Sequence, residues 1–85
     1  MDKKHPTGRQ IAAARTLVGL TQPELAGKAN ISVPTLKRME ASEGPAVGMA
    51  NNVAAVRAAL ETAGIEFIHG DGSGAGVRLR KEILQ

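Results

Sequence analysis

Apolar residues recur at helical spacing through most of the chain and then switch to strict alternation near its end. Ile11, Ala14, Leu17 and Val18 fall three and four apart, which predicts a first helix with that face turned to a core. Thr7, followed three residues later by Gln10, supplies a capping box at its start, and Gly19 or the residue after it is expected to end it. A second short helix opens with another capping box, Thr21 and Glu24, and buries Leu25, Ala26 and Ala29. Pro23 is tolerated in its first turn, where N–H groups have no helical acceptor. Ser32 is placed to cap a third helix with Pro34 in its first turn and Leu36 and Met39 as its apolar ridge. The connector between them is Ala29-Asn30-Ile31. Asparagine tolerates the left-handed conformation that a sharp turn requires, and Ile31 is expected to plug the corner.

The stretch ASEGPAVGMA after Glu40 is rich in small residues and reads as a loop with room for one helical turn. Asn51 or Asn52 is expected to cap the next helix, in which Val53, Val56, Ala59, Leu60 and Ala63 keep the helical period and Gly64 supplies the stop. From there the period is two. Ile65, Phe67 and His69 alternate with Glu66 and Ile68, and Val77 and Leu79 alternate with Arg78 and Arg80, which predicts a β-hairpin joined across the glycine-rich residues 70–76. A hairpin alone is marginal in water, so this one is expected both to pack on the last helix and to pair with a second copy. Phe67, Ile68, Val77 and Leu79 are therefore the candidate dimerisation residues. The pattern as a whole predicts a mainly α fold of four to five helices with a C-terminal β-hairpin: a flexible arm over residues 1–6, a helical domain over 7–64, and the hairpin over 65–85.

Composition narrows the possible roles. Eighty-five residues make one small domain with a single modest core, for which oligomerisation would add stability. Phe67 is the only Phe, Tyr or Trp, so the core is aliphatic and no stacking platform for single-stranded nucleic acid is available. The absence of cysteine removes disulfides and thiolate metal sites. No apolar run approaches the roughly 20 residues that span a bilayer, and no signal-peptide pattern is visible, so a cytoplasmic protein without membrane contact is expected. The net charge of +3 is unevenly placed. Lys3, Lys4, Arg9, Arg15, Lys28, Lys37 and Arg38 face only Asp2, Glu24 and Glu40 in residues 1–40, which favours a polyanionic partner for that half.

Other chemistry has little to stand on. A phosphate cradle needs a helix after the glycine-rich stretch, and here Val77-Arg78-Leu79-Arg80 follows as a strand. His5 and His69 lack partners at metal-ligand spacing, and no nucleophile motif occurs, so no metal, cofactor, small-molecule ligand or enzymatic activity is expected. Arg78, Arg80 and Lys81 are weighed as phosphate contacts against cross-strand pairing with Glu66 and Glu82, which is preferred. Ile83 and Leu84 read as a dimer contact or a frayed tail, and the arm as a solubilising terminus in preference to a DNA-contacting one.

The segment from Gly8 to Ser42 resembles the Cro/repressor-type (XRE) family of helix-turn-helix DNA-binding proteins, with a lambda-repressor-like fold. The likeness rests on Arg15, Leu20-Thr21-Gln22, Glu24-Leu25-Ala26, Ala29, Ile31-Ser32, Thr35-Leu36 and Met39-Glu40. Gln22 stands where the family often has a phosphate-contacting glutamine, and Ala26 where close helix packing needs a small residue. Asn30 replaces the usual glycine. Val33-Pro34 replaces positions that often carry polar base-reading side chains. The resemblance implies a transcriptional regulator that binds a double-stranded DNA operator, commonly as a homodimer.

On that reading the helix over 32–41 enters the major groove. Arg38 is the first choice for a bidentate contact to guanine, Val33 and Pro34 pack on thymine methyl groups, and Thr35 and Lys37 reach bases or phosphates. Thr21, Gln22, Lys28 and Ser32 are the expected phosphate contacts. Arg9 and Arg15 are weaker candidates, because Arg15 has an alternative partner in Glu40. Two rival readings are an antitoxin of a toxin–antitoxin pair and a protein-interaction module that has lost DNA binding.

Overall fold

The structure, a computed structural model, describes residues 5–69 and 74–80. It is mainly helical, with four helices followed by a small antiparallel hairpin: α1 (Gly8–Leu17), α2 (Gln22–Ala29), α3 (Val33–Glu40), α4 (Ala50–Thr62), β1 (Ile65–Ile68) and β2 (Gly76–Leu79). Among the described residues no helix is long and apolar enough to cross a membrane.

Local chemistry sets most of the helix ends. Both capping boxes form: Thr7 with Gln10 opens α1, and Thr21 with Glu24 opens α2. Ser32 caps α3 through the Thr35 N–H. At the end of α2, Asn30 adopts φ 59°, ψ 46°, the left-handed conformation. From there Asn30 N–H reaches the Gly27 carbonyl and Ile31 N–H the Ala26 carbonyl, the paired bonds of a Schellman stop. Gly19 does the same for α1: its N–H bonds Thr16 and that of Leu20 bonds Arg15, so the last helical residue is Leu17.

The core is aliphatic. Ile11, Leu25, Leu36, Met39, Val56, Leu60 and Ile65 are all but inaccessible, and Phe67 closes one end at 7% exposure. Within this arrangement α2 packs on α4 and α3, α1 packs on α3 and β2, and α4 packs on β1. Two contacts of α1 fix its place. Gly8 sits against the end of α3 so closely that a Cβ there would overlap the Met39 and Ser42 carbonyl oxygens. The buried Gln10 amide nitrogen donates to both the Ile68 and Gly76 carbonyls, each at 3.0 Å, at the last strand pair before the connection.

The hairpin register pairs Ile65 with Leu79, Glu66 with Arg78, Phe67 with Val77 and Ile68 with Gly76. Ile65 and Phe67 point into the core, while Glu66 and Arg78 form an exposed ion pair on the outer face at 3.0 Å. The guanidinium of Arg57 on α4 covers the Phe67 ring, 5.1 Å from its centroid.

Four sequence expectations need correction. Leu17 is 46% exposed, because the inner face of α1 is centred on Ile11, Ala14 and Val18 and Leu17 lies about 100° round the helix from it. Neither Asn51 nor Asn52 caps α4. Gly48, at φ 129°, turns the chain earlier, Met49 becomes the N-cap without a side-chain bond, and both asparagines lie inside the first turn. The end of the expected arm is anchored: Pro6 is buried and its carbonyl accepts the Ala46 N–H, and Thr7 bridges to Pro45. Residues 1–4, where the rest of that arm lies, are outside the described residues. Phe67 belongs to the core of its own chain, which removes its side chain from the expected dimer surface. The connection over 70–73, together with Lys81, Glu82, Ile83 and Leu84, also lies outside the described residues.

Candidate nucleic-acid interface

Helix α3 divides sharply into two faces. Leu36, Met39 and Glu40 are buried, whereas Pro34, Lys37, Arg38 and Ala41 form an exposed stripe at the helical spacing i, i+3, i+4, i+7. Thr35 and Val33 flank the stripe, each half-buried, and Val33 packs partly against the core. Ala41 was not among the sequence candidates, although the same period that selects Lys37 and Arg38 reaches it.

Behind the stripe lies an ionic clamp. Arg15 donates bidentately to Glu40, Nε to Oε2 at 2.7 Å and an Nη to Oε1 at 3.1 Å, and donates again to the Leu20 carbonyl. The Gln22 amide adds a donor to Glu40 Oε1 at 3.0 Å. One buried carboxylate therefore receives α1 through Arg15 and the start of α2 through Gln22, and fixes both against α3. Arg15 is spent on this task. Gln22 is brought beside α3 as expected, with its amide nitrogen engaged.

The helix starts are less open to an anion than the sequence suggests. Thr21 N–H donates to the Glu24 carboxylate and Glu24 N–H to the Thr21 hydroxyl, so Gln22 supplies the one first-turn N–H of α2 left for another acceptor. Glu24 stays ionised: the bonds from the Thr21 main chain and hydroxyl hold its carboxyl below the usual range. Its negative charge lies in the first turn of α2. The Ser32 hydroxyl caps Thr35 and also donates to the Thr35 hydroxyl at 2.8 Å. Both Thr21 and Ser32 thus act first as caps. Lys28 lies at the other end of α2, on the wall of a groove formed with Ala29, Ala55, Ala58, Ala59, Thr62 and Ala63, and is not gathered with Gln22.

The distribution of ion pairs separates the cations. Arg9 pairs with Glu43, Arg15 with Glu40, Arg57 with Glu61 and Arg78 with Glu66. Lys37 and Arg38 are exposed and have no carboxylate partner among the described residues. Among those residues no group of His, Asp or Glu is arranged to hold a metal ion.

What these elements define is a mainly α-helical protein whose third helix presents a cationic stripe held in place by an internal clamp. Comparison with protein-family models found no match, and comparison with curated proteins found none.

Proposed function

We propose that this chain is a sequence-specific, double-stranded DNA-binding transcriptional regulator of the Cro/repressor (XRE) type. In this reading α2 and α3 form its helix-turn-helix, and it acts in the cytoplasm as a homodimer. The observation that carries the reading is the contrast on α3: an inner face locked by Leu36, Met39 and the Glu40 clamp, and an outer stripe whose two cations have no carboxylate partner among the described residues. A side chain free of internal pairing loses no existing contact when it meets a base edge or phosphate.

Arg38 serves as the base reader, with Lys37 and Thr35 beside it and Pro34, partly helped by Val33, against thymine methyl groups. Gln22, adjacent to the clamp, approaches the phosphate backbone from the start of α2, and Lys28 contributes at most to the general field. Molecular size is compatible with paired half-sites. The chain extends 32 × 30 × 18 Å, a size at which two copies related by a two-fold axis can set their α3 helices near the ~34 Å turn that separates half-sites. The reading assigns the chain no catalytic step.

The test is binding to duplexes recovered from a randomised pool, measured over a range of salt concentrations. A counterion-release slope is expected for the native chain. The Arg38→Ala variant is expected to lose about 1–3 kcal/mol, concentrated at one base position, whereas Gln22→Ala weakens all sequences alike. A native chain that selects no sequence, or whose affinity ignores salt, would overturn the proposal.

A further inference from the structure

The exposed stripe of α3 carries hydrogen-bond donors and apolar surface, and no carboxylate or amide oxygen. The side chains of Pro34 and Ala41 present only carbon, and those of Lys37 and Arg38 present only N–H donors at their tips. The side-chain oxygens that α3 and its cap do carry are engaged within the protein. The Thr35 hydroxyl accepts from Ser32, the Ser32 hydroxyl accepts the Thr35 N–H, and both oxygens of Glu40 are held in the clamp by Arg15 and Gln22. Base edges in the major groove divide along the same line. The amino groups of adenine and cytosine are donors, and reading either takes an amide or carboxylate oxygen. Guanine offers two acceptors, N7 and O6, and thymine offers O4 and a methyl group. A surface of donors and carbon is matched best by guanine and thymine.

We propose that Arg38 and Pro34 act as one reader of neighbouring guanine and thymine, Arg38 donating to guanine N7 and O6 and the Pro34 ring covering the thymine C5 methyl. This assignment rests on the DNA-binding reading given above and adds the bases that α3 selects and those it passes over. Spacing sets the two side chains within reach of neighbouring bases. Four residues rise ~6 Å along a helix, under two base steps of ~3.4 Å each. Pro34 lies in the first turn of α3, the end that faces base edges when such a helix enters the groove. Its ring is fixed in φ and carries no N–H, so covering it costs neither a hydrogen bond nor side-chain order. Arg38 has no carboxylate partner among the described residues, so its guanidinium breaks no ion pair when it turns to a guanine. Because Pro34 meets the methyl carbon, a cytosine placed at the thymine position is expected to bind more tightly once methylated at C5.

The experiment titrates the full chain against its selected duplex at fixed salt, replacing one base at a time by an analogue that lacks a single group. 7-Deazaguanine lacks the guanine N7 acceptor, deoxyuridine lacks only the thymine methyl, and purine in place of adenine lacks only the N6 amino group. The native chain is expected to bind roughly tenfold more weakly with 7-deazaguanine at the contacted guanine, and about three- to fivefold more weakly with deoxyuridine at a thymine one or two steps away. Loss of an adenine amino group is expected to change little. In Arg38→Ala the 7-deazaguanine effect disappears and the deoxyuridine effect stays; in Pro34→Ser the reverse holds. Both positions are exposed, so helix content is expected to be unchanged. Should either variant fail to fold, the analogue series on the native chain decides. Indifference to both the guanine and the thymine analogue, effects that persist in the matching variants, or an adenine amino effect as large as these would overturn the proposal. A chain that binds its duplex with a counterion-release slope yet ignores the analogues keeps the regulator reading and loses this assignment, whereas a chain that selects no duplex loses both.

Discussion

Glu40 is the residue on which the orientation of α3 depends. Its side chain is 7% exposed and its oxygens accept from Arg15 and Gln22, so a charge is held in the interior by donors from two other elements. Burying a carboxylate this way contributes modestly when complete and costs heavily when broken, because the partner charge is then left without a counterion. Glu40→Gln is expected to lower unfolding stability by about 3 kcal/mol, read from urea denaturation. An Arg15→Gln, Glu40→Gln double variant is expected to lose less than the sum of the single losses. Equal additive losses would mean that the two side chains stabilise the fold independently.

At the scale of elements, the turn between α2 and α3 is decided by one backbone conformation. Asn30 is the one described non-glycine residue with positive φ, and a β-branched side chain there meets its own backbone at a cost of about 1–2 kcal/mol. Asn30→Val is expected to lower the thermal midpoint, and Asn30→Gly to leave it nearly unchanged. This turn, both capping boxes and the Ser32 cap were legible in the sequence because each is a contract between residues a few positions apart. Leu17 and Asn51 were not. Helical spacing alone allowed Leu17 on the inner face, but the face is chosen by where α3 and the hairpin lie. Either asparagine is a good cap in isolation, yet Gly48 turns the chain before they are reached. The candidate interface follows the same division. The exposed stripe of α3 was readable from its period, and the pairing of Arg15 with Glu40 from charge. The capping roles of Thr21 and Ser32 follow from the same short-range bonds, whereas the place of Lys28 on the wall of the groove beside α4 depends on packing that no spacing records.

For the whole molecule, acid is the informative variable. The bond from Arg78 and its charge hold the Glu66 carboxyl below its usual range, and Glu24 is lowered by the Thr21 main chain and hydroxyl. Both groups bind protons less readily folded than unfolded. Their contribution is complete above the ordinary carboxylate value of 4.5 and is lost as pH falls through the lowered folded values. Stability measured by urea midpoints is expected to decline below about pH 4.5, and Glu66→Gln is expected to decline less steeply over that range. Both carboxylates are exposed, so added salt is expected to shrink the part due to Glu66 and Arg78.

The amide of Gln10 gives the molecule a joint that can be taken apart. Because one nitrogen from α1 grips the Ile68 and Gly76 carbonyls together, the helical body itself helps to hold the two strands in alignment. Alignment held from α1 is expected to survive a longer connection between the strands, keeping Glu66 opposite Arg78 and Phe67 opposite Val77. A peptide inserted there would be displayed by the scaffold with its strand pairing undisturbed, and the same insertion in a Gln10→Ala background would let the strands slide.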